Sequence, residues 1–340
     1  MDAIVTQALT KIYRGGVKAV DQVSFEVERG EIFGFVGPHG AGKTTTMKIL
    51  NTLLRPTGGR AEVNGYDVVK TSAEVRKSIG YVAQEIGVDE LATGKENLTL
   101  YGHLYHLGSG TVKRRVGELL DLVGLRGREN KLVSTYSGGM RKRLDIAMGL
   151  IHHPKILFLD EPTAGHDPQT RTHIWDYIRE LSQEEGVTIF FTTHYMDEAE
   201  KLAHRIAIID YGKIVALGTP DELKRQISGD VVTVQLEPRG PEKADDTLQR
   251  GLAIVKVLPF VHQIQPRNGD LNVYVERGDS AVPQLVRTLE GHDITVKTIS
   301  LARPSLDDVF LKYTGRSIRE ETGERTSWAK MGRERRRRQP

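Results

Sequence analysis

The 340-residue chain carries 48 lysines and arginines against 45 aspartates and glutamates, and a net charge of only +3 gives no indication of nucleic-acid binding. The absence of cysteine excludes disulfides, Cys-ligated zinc and thiol catalysis. No apolar run approaches the roughly 18 residues of a membrane span, and no signal-peptide h-region opens the sequence, so we expect any work at a membrane to go through a partner.

The first 227 residues predict a doubly wound α/β domain with a mostly parallel sheet, because short apolar runs alternate with helical patterns. Ahead of this core, two segments alternate apolar and polar residues, as half-exposed antiparallel strands do. Helical apolar spacing between Glu96 and Leu125 predicts a helical lobe inserted in the domain. The strands are expected at 4–9, 23–27, 31–36, 79–83, 156–159, 188–191 and 205–209.

A second, small α+β domain is predicted over residues 228–316, after a helix at 220–227. Its strands are expected at 231–236, 253–260, 271–276 and 293–301, and its helices at 242–252 and 280–289, which gives the ferredoxin-like order β-α-β-β-α-β. Asn268-Gly269-Asp270 is the expected hairpin turn, and Ser305 with Asp308 predicts a capped helix at 305–312. Residues 317–340 form a basic tail that we expect to be disordered.

A phosphate loop is predicted between the strand at 31–36 and the helix that follows. Residues 37–45 fit the pattern G-x-x-x-x-G-K-[ST], whose glycines let backbone amides curl around phosphate oxygens. The lysine would reach the β- and γ-phosphates, and the first threonine would bind Mg²⁺. A chance glycine-rich turn is the alternative. The predicted contacts are Gly37, Pro38, His39, Gly40, Ala41, Gly42, Lys43, Thr44 and Thr45.

Two carboxylates end the buried strand at 156–159 and face the crevice where ligands bind in open α/β sheets. Asp160 is predicted to hold Mg²⁺ through water, and Glu161 to polarise the attacking water as a general base. The alternative role is an N-terminal cap for the next segment.

Three single residues complete the predicted crevice. His194 follows the strand at 188–191 and can hydrogen-bond the γ-phosphate and align Glu161, although a lone histidine is more often structural. Gln84 follows the strand at 79–83 and offers an oxygen for catalysis and Mg²⁺ binding. Tyr13, expected within the early strands, can stack on adenine; an ordinary surface tyrosine is an equal alternative.

A second anion-binding turn is predicted at Ser137-Gly138-Gly139, where a helix begins. The first N–H groups of a helix lack intrahelical partners and carry the positive end of its dipole, so they can grip phosphate.

In this order the motifs, together with Asp167 in the D-loop, resemble the nucleotide-binding subunit of an ATP-binding cassette (ABC) transporter over residues 1–227. The resemblance implies a P-loop NTPase cassette fold, ATP and Mg²⁺ as cofactors, and a head-to-tail dimer with a second copy of the chain. Each ATP would then lie between the phosphate loop of one subunit and the signature turn of the other. Ser137, Gly138 and Gly139 would therefore serve the partner's ATP.

The finer resemblance is to daunorubicin-resistance type drug-exporter ATPases, based on residues 136–143 and the segment 304–311. It implies a separate integral-membrane permease, a position at the cytoplasmic face of the membrane, and export of a hydrophobic drug. Export of lipid, polysaccharide or ions stays open, as does a soluble ATPase acting on nucleic acid or ribosomes, though no nucleic-acid partner is expected. The sequence departs from the common family pattern at His39, Met140 and His166, where asparagine, glutamine and leucine are usual.

Overall fold

The computed structural model describes residues 2–226, 230–238, 244–267, 269–302 and 305–314. The chain divides into two compact units, Met1–Pro220 and Asp221–Arg316. Within the described part of the chain, none of the helices combines the length and apolar character needed to cross a membrane.

The first unit alternates strands and helices along most of its length. Its strands are β1 (Asp2–Ile12), β2 (Lys18–Glu28), β3 (Ile32–Val36), β4 (Gly58–Val63), β5 (Tyr66–Asp67), β6 (Ile79–Val82), β7 (Ile156–Asp160), β8 (Thr188–Thr193), β9 (Arg205–Asp210) and β10 (Lys213–Gly218). Its helices are α1 (Lys43–Leu50), α2 (Ser72–Ser78), α3 (Gly94–Leu104), α4 (Ser109–Leu122), α5 (Gly138–Leu150), α6 (Pro168–Glu185) and α7 (Met196–Leu202), and α8 (Pro220–Arg225) crosses into the second unit.

A six-stranded sheet with the order β10-β9-β3-β8-β7-β6 forms the centre of this unit. Every neighbouring pair is parallel except β10 with β9. Strands β3, β7 and β8 are buried along their whole length, as expected for a parallel sheet covered on both faces. The predicted α/β class is confirmed. Because β3, β8, β7 and β6 are consecutive and parallel, the loops after them emerge side by side.

An antiparallel sheet with the order β2-β1-β4-β5 accompanies the central sheet, which confirms the early antiparallel strands. Aromatic packing joins the two sheets. The ring of Phe25 in β2 lies 5.4 Å from that of Phe33 in β3 and 5.9 Å from that of Phe190 in β8, measured between centroids. One apolar core therefore supports both sheets.

The predicted helical lobe is formed by α3 and α4. A reciprocal cap begins α3, since Thr93 accepts a hydrogen bond from the Glu96 amide while the Glu96 carboxylate accepts from the Thr93 amide. Arg115 of α4 is 2% exposed and donates to both carboxylate oxygens of Glu185 at the end of α6, each at 3.1 Å. This ion pair between buried Arg115 and partly exposed Glu185 attaches the lobe to the rest of the first unit.

The second unit contains β11 (Asp230–Glu237), α9 (Ala244–Lys256), β12 (Val261–Arg267), β13 (Asp270–Val275), α10 (Gly278–Gly291), β14 (Thr295–Ala302) and α11 (Leu306–Thr314). The predicted β-α-β-β-α-β order is confirmed, and the strands pair antiparallel in the order β12-β13-β11-β14. Ser305 and Asp308 cap α11 as predicted. The predicted hairpin turn includes Asn268, which lies outside the described residues, as does the basic tail; Arg267 and Asp270 pair on either side of the turn.

The strand predicted at 253–260 is wrong, because α9 continues to Lys256 and the strand is β12. Leu248, Leu252 and Val255 recur at helical spacing. The apolar run at 253–255 therefore belongs to the last turn of an amphipathic helix, which buries Val255. Pro266 lies within β12, which is tolerated because β12 is the edge strand of its sheet.

Candidate active site

The phosphate-loop segment connects β3 to α1 in a backbone shape that requires glycine. Gly42 has a φ of 109°, and a Cβ atom there would lie 2.3 Å from the carbonyl oxygen of Ala19. A Cβ on Gly37 would lie 2.2 Å from the carbonyl oxygen of Ile209. Side chains at these two positions would collide with backbone, so the loop has the tight curl that an anion cradle needs.

Lys43 lies at the start of α1 and is only 5% exposed. Its Nζ donates to the carbonyl oxygens of Gly37 at 2.7 Å and Pro38 at 3.0 Å, and lies 3.5 Å from Glu161 Oε1. Burial lowers the pKa of Lys43, while the nearby carboxylates of Glu161 and Asp160 oppose that shift. The ammonium group is therefore held over the crevice by the loop's own backbone and by the predicted general base.

The carboxylates of Asp160 and Glu161 are held at the end of β7 by Thr192 of β8. The Thr192 hydroxyl donates to Asp160 Oδ1 at 2.5 Å and accepts from the Glu161 amide at 3.1 Å. Glu161 has a φ of 45°, a conformation that non-glycine residues seldom adopt and that recurs at functional sites. Adjacent residues of an extended strand point to opposite faces, and this turn of the backbone brings Glu161 into the crevice instead.

Three further side chains surround Glu161. His194 Nδ1 lies 3.2 Å from Glu161 Oε2, and the Gln84 amide donates to the same oxygen at 3.3 Å. The ring of His39 from the phosphate loop lies 4.6 Å from the His194 ring. The predicted catalytic residues, which lie up to 110 positions apart in sequence, thus form one cluster with Glu161 at its centre.

The two carboxylates have opposite pKa shifts. Burial raises the pKa of Asp160, and the neighbouring Glu161 charge adds to that effect against the Thr192 hydrogen bond. Burial would also raise the pKa of Glu161, but His194 and the charge of Lys43 outweigh it and leave the pKa below its ordinary value. Glu161 is consequently ionised at neutral pH, as a general base must be.

The oxygen donors of the site fit Mg²⁺. Thr44 Oγ1 at the start of α1 lies 3.5 Å from Asp160 Oδ1, so a hydroxyl and a carboxylate oxygen face the same point. Mg²⁺ prefers such oxygen ligands and keeps several waters, so two protein groups are enough when phosphates supply the rest. Gln84 contacts Glu161 in this structure, and its part as a Mg²⁺ ligand stays a prediction.

Tyr13 lies in the turn after β1, not within a strand as predicted, because β1 ends at Ile12. In this turn the Tyr13 amide donates to the Val17 carbonyl at 2.9 Å, and the Gly16 amide donates to the Tyr13 carbonyl at 3.1 Å. The Tyr13 ring is 41% exposed, and its hydroxyl lies 3.4 Å from the Thr45 hydroxyl of the phosphate loop. The hydroxyl end of the Tyr13 side chain therefore lies beside the loop, and stacking of adenine on the ring stays a prediction.

The signature turn and the D-loop adjoin each other. Ser137 caps α5, with its hydroxyl accepting from the Met140 amide at 3.3 Å, and Asp167 caps α6 by accepting from the Gln169 and Thr170 amides. Both turns border a cleft of about 380 Å³ that is also lined by Gly138, Gly139 and His166. The cleft exposes the start of α5, where the helix dipole favours an anion.

Several buried polar residues that sequence reasoning missed brace this site. Lys142 of α5 is 1% exposed and donates to the Ala83 carbonyl at 2.9 Å, while Asp145 accepts from the Gly87 amide at 3.2 Å. Helix α5 thereby contacts both ends of the loop that carries Gln84. The only sequence signal is a pair of charges on the buried face of a helix, which does not reveal its partners.

Glu198 of α7 provides a second brace. Its carboxylate is fully buried and accepts from Thr163, Trp175 and Thr193, at 2.7, 2.9 and 2.5 Å. Burial raises the pKa of Glu198 against these three hydrogen bonds. The network ties the chain just after Glu161 to the end of β8 just before His194, which fixes the distance between them.

The comparisons with known proteins agree with this geometry. The family model described as ABC transporter matches residues 20–164, and the model of the C-terminal domain of ATP-binding proteins like DrrA1-3 matches residues 218–314. The chain belongs to the ABC transporter ATP-binding proteins, and it is an ATPase of that family. Within the family, its second unit is the C-terminal domain found in DrrA-like ATP-binding proteins.

Relatives match almost the whole chain. The daunorubicin resistance ATP-binding protein DrrA3 of Streptomyces coeruleorubidus is 42% identical over 92% of this chain and 96% of its own length. The linearmycin resistance ATP-binding protein LnrL of Bacillus subtilis is 37% identical over 88% of this chain and 95% of its own. The dimeric, post-hydrolysis structure of the cassette MJ0796 with ADP and Pi covers 64% of this chain and 98% of its own, at 26% identity and a TM-score of 0.57.

Replacing Thr192 with valine tests the support of Asp160. Loss of the hydroxyl removes the hydrogen bond that lowers the pKa of Asp160, so the pKa rises further and the carboxylate is neutralised at a higher pH. We expect the apparent Mg²⁺ affinity in ATPase assays to fall about tenfold at neutral pH. When the pH is lowered, the variant should begin to lose activity at a higher pH than the parent does. Thr172→Val, on the exposed side of α6, is the matched control. Identical Mg²⁺ and pH profiles in Thr192→Val and the parent would contradict this role.

Proposed function

We propose that the chain binds Mg·ATP, closes into a head-to-tail dimer and hydrolyses ATP to reopen, energising export of a hydrophobic drug through a separate membrane permease. The observation that carries the proposal is the convergence of Lys43, Gln84 and His194 on the single carboxylate of Glu161. An ATPase needs these groups within reach of one phosphate: a cation, a general base, and residues that align the base with the attacking water.

In this proposal each group in the crevice has one task. The amides of residues 37–45 and the Lys43 ammonium bind the phosphates, and Thr44 with Asp160 holds Mg²⁺, which neutralises charge on the transferred phosphoryl group. Glu161 accepts a proton from the attacking water, and His194 and Gln84 orient the Glu161 carboxylate. When ATP enters, Lys43 exchanges its contact with Glu161 for the phosphates, which releases Glu161 to act as the base.

A second copy of the chain supplies the remaining contacts. The first amides of α5, at Gly138 and Gly139, border a cleft with Asp167 of the D-loop, and an anion bound there belongs to the partner's nucleotide. ATP favours the closed dimer because its γ-phosphate is then held from both subunits, and hydrolysis removes that preference. The related cassette MJ0796 is dimeric in its post-hydrolysis structure with ADP and Pi.

Contacts of α5 connect nucleotide state to the helical lobe. Lys142 and Asp145 bind the backbone at Ala83 and Gly87, so displacement of the signature helix on closure moves the Gln84 loop as well. The neighbouring lobe carries exposed apolar side chains at Leu100 and Leu104 of α3, and Leu91 is exposed in the segment just before that helix. We infer that this face meets the permease, and that the chain works at the cytoplasmic face of the membrane through that contact.

The drug assignment rests on relatives whose names record daunorubicin and linearmycin resistance. Their cargoes differ while their cassettes align along nearly the full chain, so the membrane subunit is expected to select the compound. Lipid, polysaccharide or ion export by the same cassette is the second candidate.

Glu161→Gln separates binding from hydrolysis. The amide keeps the shape of the side chain but accepts no proton, so we expect parental ATP affinity, a turnover number at least about 100-fold lower, and a stable dimer with ATP. Light scattering after gel filtration measures the dimer, and phosphate release measures turnover. Glu184→Gln, on the exposed side of α6, should behave as the parent. Parental turnover in Glu161→Gln would remove Glu161 as the general base.

Ser137→Arg tests the trans site. A bulky cation at the start of α5 blocks the partner's phosphates but leaves the phosphate loop of the same subunit intact. We expect unchanged ATP binding to the monomer, no ATP-dependent dimer, and hydrolysis reduced roughly 100-fold. Ser109→Arg at the start of α4 is the control. Full activity in Ser137→Arg would mean that each subunit hydrolyses ATP alone.

The export assignment is tested in cells that carry Glu161→Gln in place of the parental chain. Retained daunorubicin and linearmycin are measured after loading, and we expect several-fold more drug in the mutant because the exporter is not energised. Equal retention of both compounds, with ATPase activity demonstrated in the purified parent, would exclude drug export of this kind and favour the lipid, polysaccharide or ion alternative.

A further inference from the structure

His39, Glu161 and His194 form a cluster of metal-ligating groups at the mouth of the crevice. One ligand atom from each lies within 4.8 Å of those of the other two. The His194 Nδ1 atom is buried and lies 3.2 Å from Glu161 Oε2. This nitrogen and the carboxylate oxygen are therefore close enough to bind the same metal ion.

The donor set differs in kind from the Mg²⁺ donors. Two imidazoles and one carboxylate match the ligands of open zinc sites, in which water takes the fourth position. Tetrahedral ligands at about 2.0–2.1 Å from the ion lie about 3.3 Å from one another, close to the His194–Glu161 distance. The His39 side chain is exposed, so a rotation of its ring can bring a ring nitrogen closer to the ligand atoms of Glu161 and His194 without moving core residues.

The position of the cluster links it to catalysis. His39 belongs to the phosphate loop, and its ring already lies 4.6 Å from that of His194. Thr44 and Asp160, the proposed Mg²⁺ donors, are not members of the cluster. Imidazole nitrogens select Zn²⁺, Co²⁺ or Ni²⁺ over Mg²⁺, so the two kinds of ion are distinguished by ligand type.

We propose that His39, Glu161 and His194 bind a divalent transition-metal ion of the Zn²⁺ class in the nucleotide-free subunit, and that the bound ion inhibits hydrolysis. Coordination through Oε2 would place a divalent positive charge beside the Glu161 carboxylate and lower its basicity, so it would take a proton from water less readily. The inhibitory half rests on the proposed function, whereas metal binding itself rests only on the geometry of the three side chains.

Cobalt absorption tests the site directly. The tag-free full chain, without nucleotide, is titrated with Co²⁺ and its visible d–d absorption recorded, then Zn²⁺ is added. We expect the intense bands of four- or five-coordinate Co²⁺ with one ion per chain, and their loss when Zn²⁺ displaces it. His39→Asn should weaken Co²⁺ binding on the order of 10–100-fold. The chain has eleven histidines, so the control for Co²⁺ binding to surface histidines is His103→Asn, at an exposed position of α3. This variant should bind Co²⁺ as the parent does.

Inhibition is measured separately. ATPase rates are taken at fixed free Zn²⁺ set by a metal buffer, each normalised to the same protein without Zn²⁺, and His39→Asn should need at least about tenfold more Zn²⁺ for half inhibition. Only the weak spectrum of hydrated Co²⁺ in the parent, or equal binding by the parent and His39→Asn, would overturn the site. A normal cobalt spectrum with no ATPase activity in the metal-free parent would instead count against the proposed function.

Discussion

The burial of three charges in one crevice is the constraint on which the first unit depends. Lys43, Asp160 and Glu161 are each less than 8% exposed, and isolated charges in such surroundings would be strongly destabilising. Two loop carbonyls and Glu161 surround the Lys43 ammonium, and Thr192 donates to Asp160. Each charge is therefore partly compensated inside the crevice, and the contact of Lys43 with Glu161 is the one that we expect ATP to replace.

The ionic contact between Lys43 and Glu161 resembles the contact that we propose between Lys43 and the phosphates of ATP. The Lys43 ammonium lies inside the loop, and Glu161 provides beside it the negative charge that a γ-phosphate would bring in the proposed function. ATP binding would then exchange one set of ionic contacts for another, with these groups already largely desolvated. Preorganisation of this kind is the main source of electrostatic catalysis.

Helix α5 has two roles because of where it lies. Its first turn borders the cleft with the D-loop, and its buried face holds the loop that carries Gln84. A rigid helix transmits a displacement at one end to contacts along its length, so closure of the proposed dimer would also shift the loop that carries Gln84. The ion pair between buried Arg115 and Glu185 attaches the helical lobe to the core.

The sequence by itself determined the phosphate loop, the two carboxylates, the signature turn and the βαββαβ order of the second unit, because each depends on residues that are adjacent or regularly spaced. It misplaced the strand predicted at 253–260, since a short apolar run fits a strand as well as the last turn of a helix, and it placed Tyr13 in a strand although β1 ends at Ile12. It also had no means of finding Thr192, Lys142 or Glu198 as supports. The sequence predicted Gln84 and His194 in the same crevice as Glu161. Only the tertiary structure decided that both contact one carboxylate oxygen of Glu161 and that His39 joins them, because parallel strands align the ends of distant segments and the left-handed backbone at Glu161 turns its carboxylate toward them.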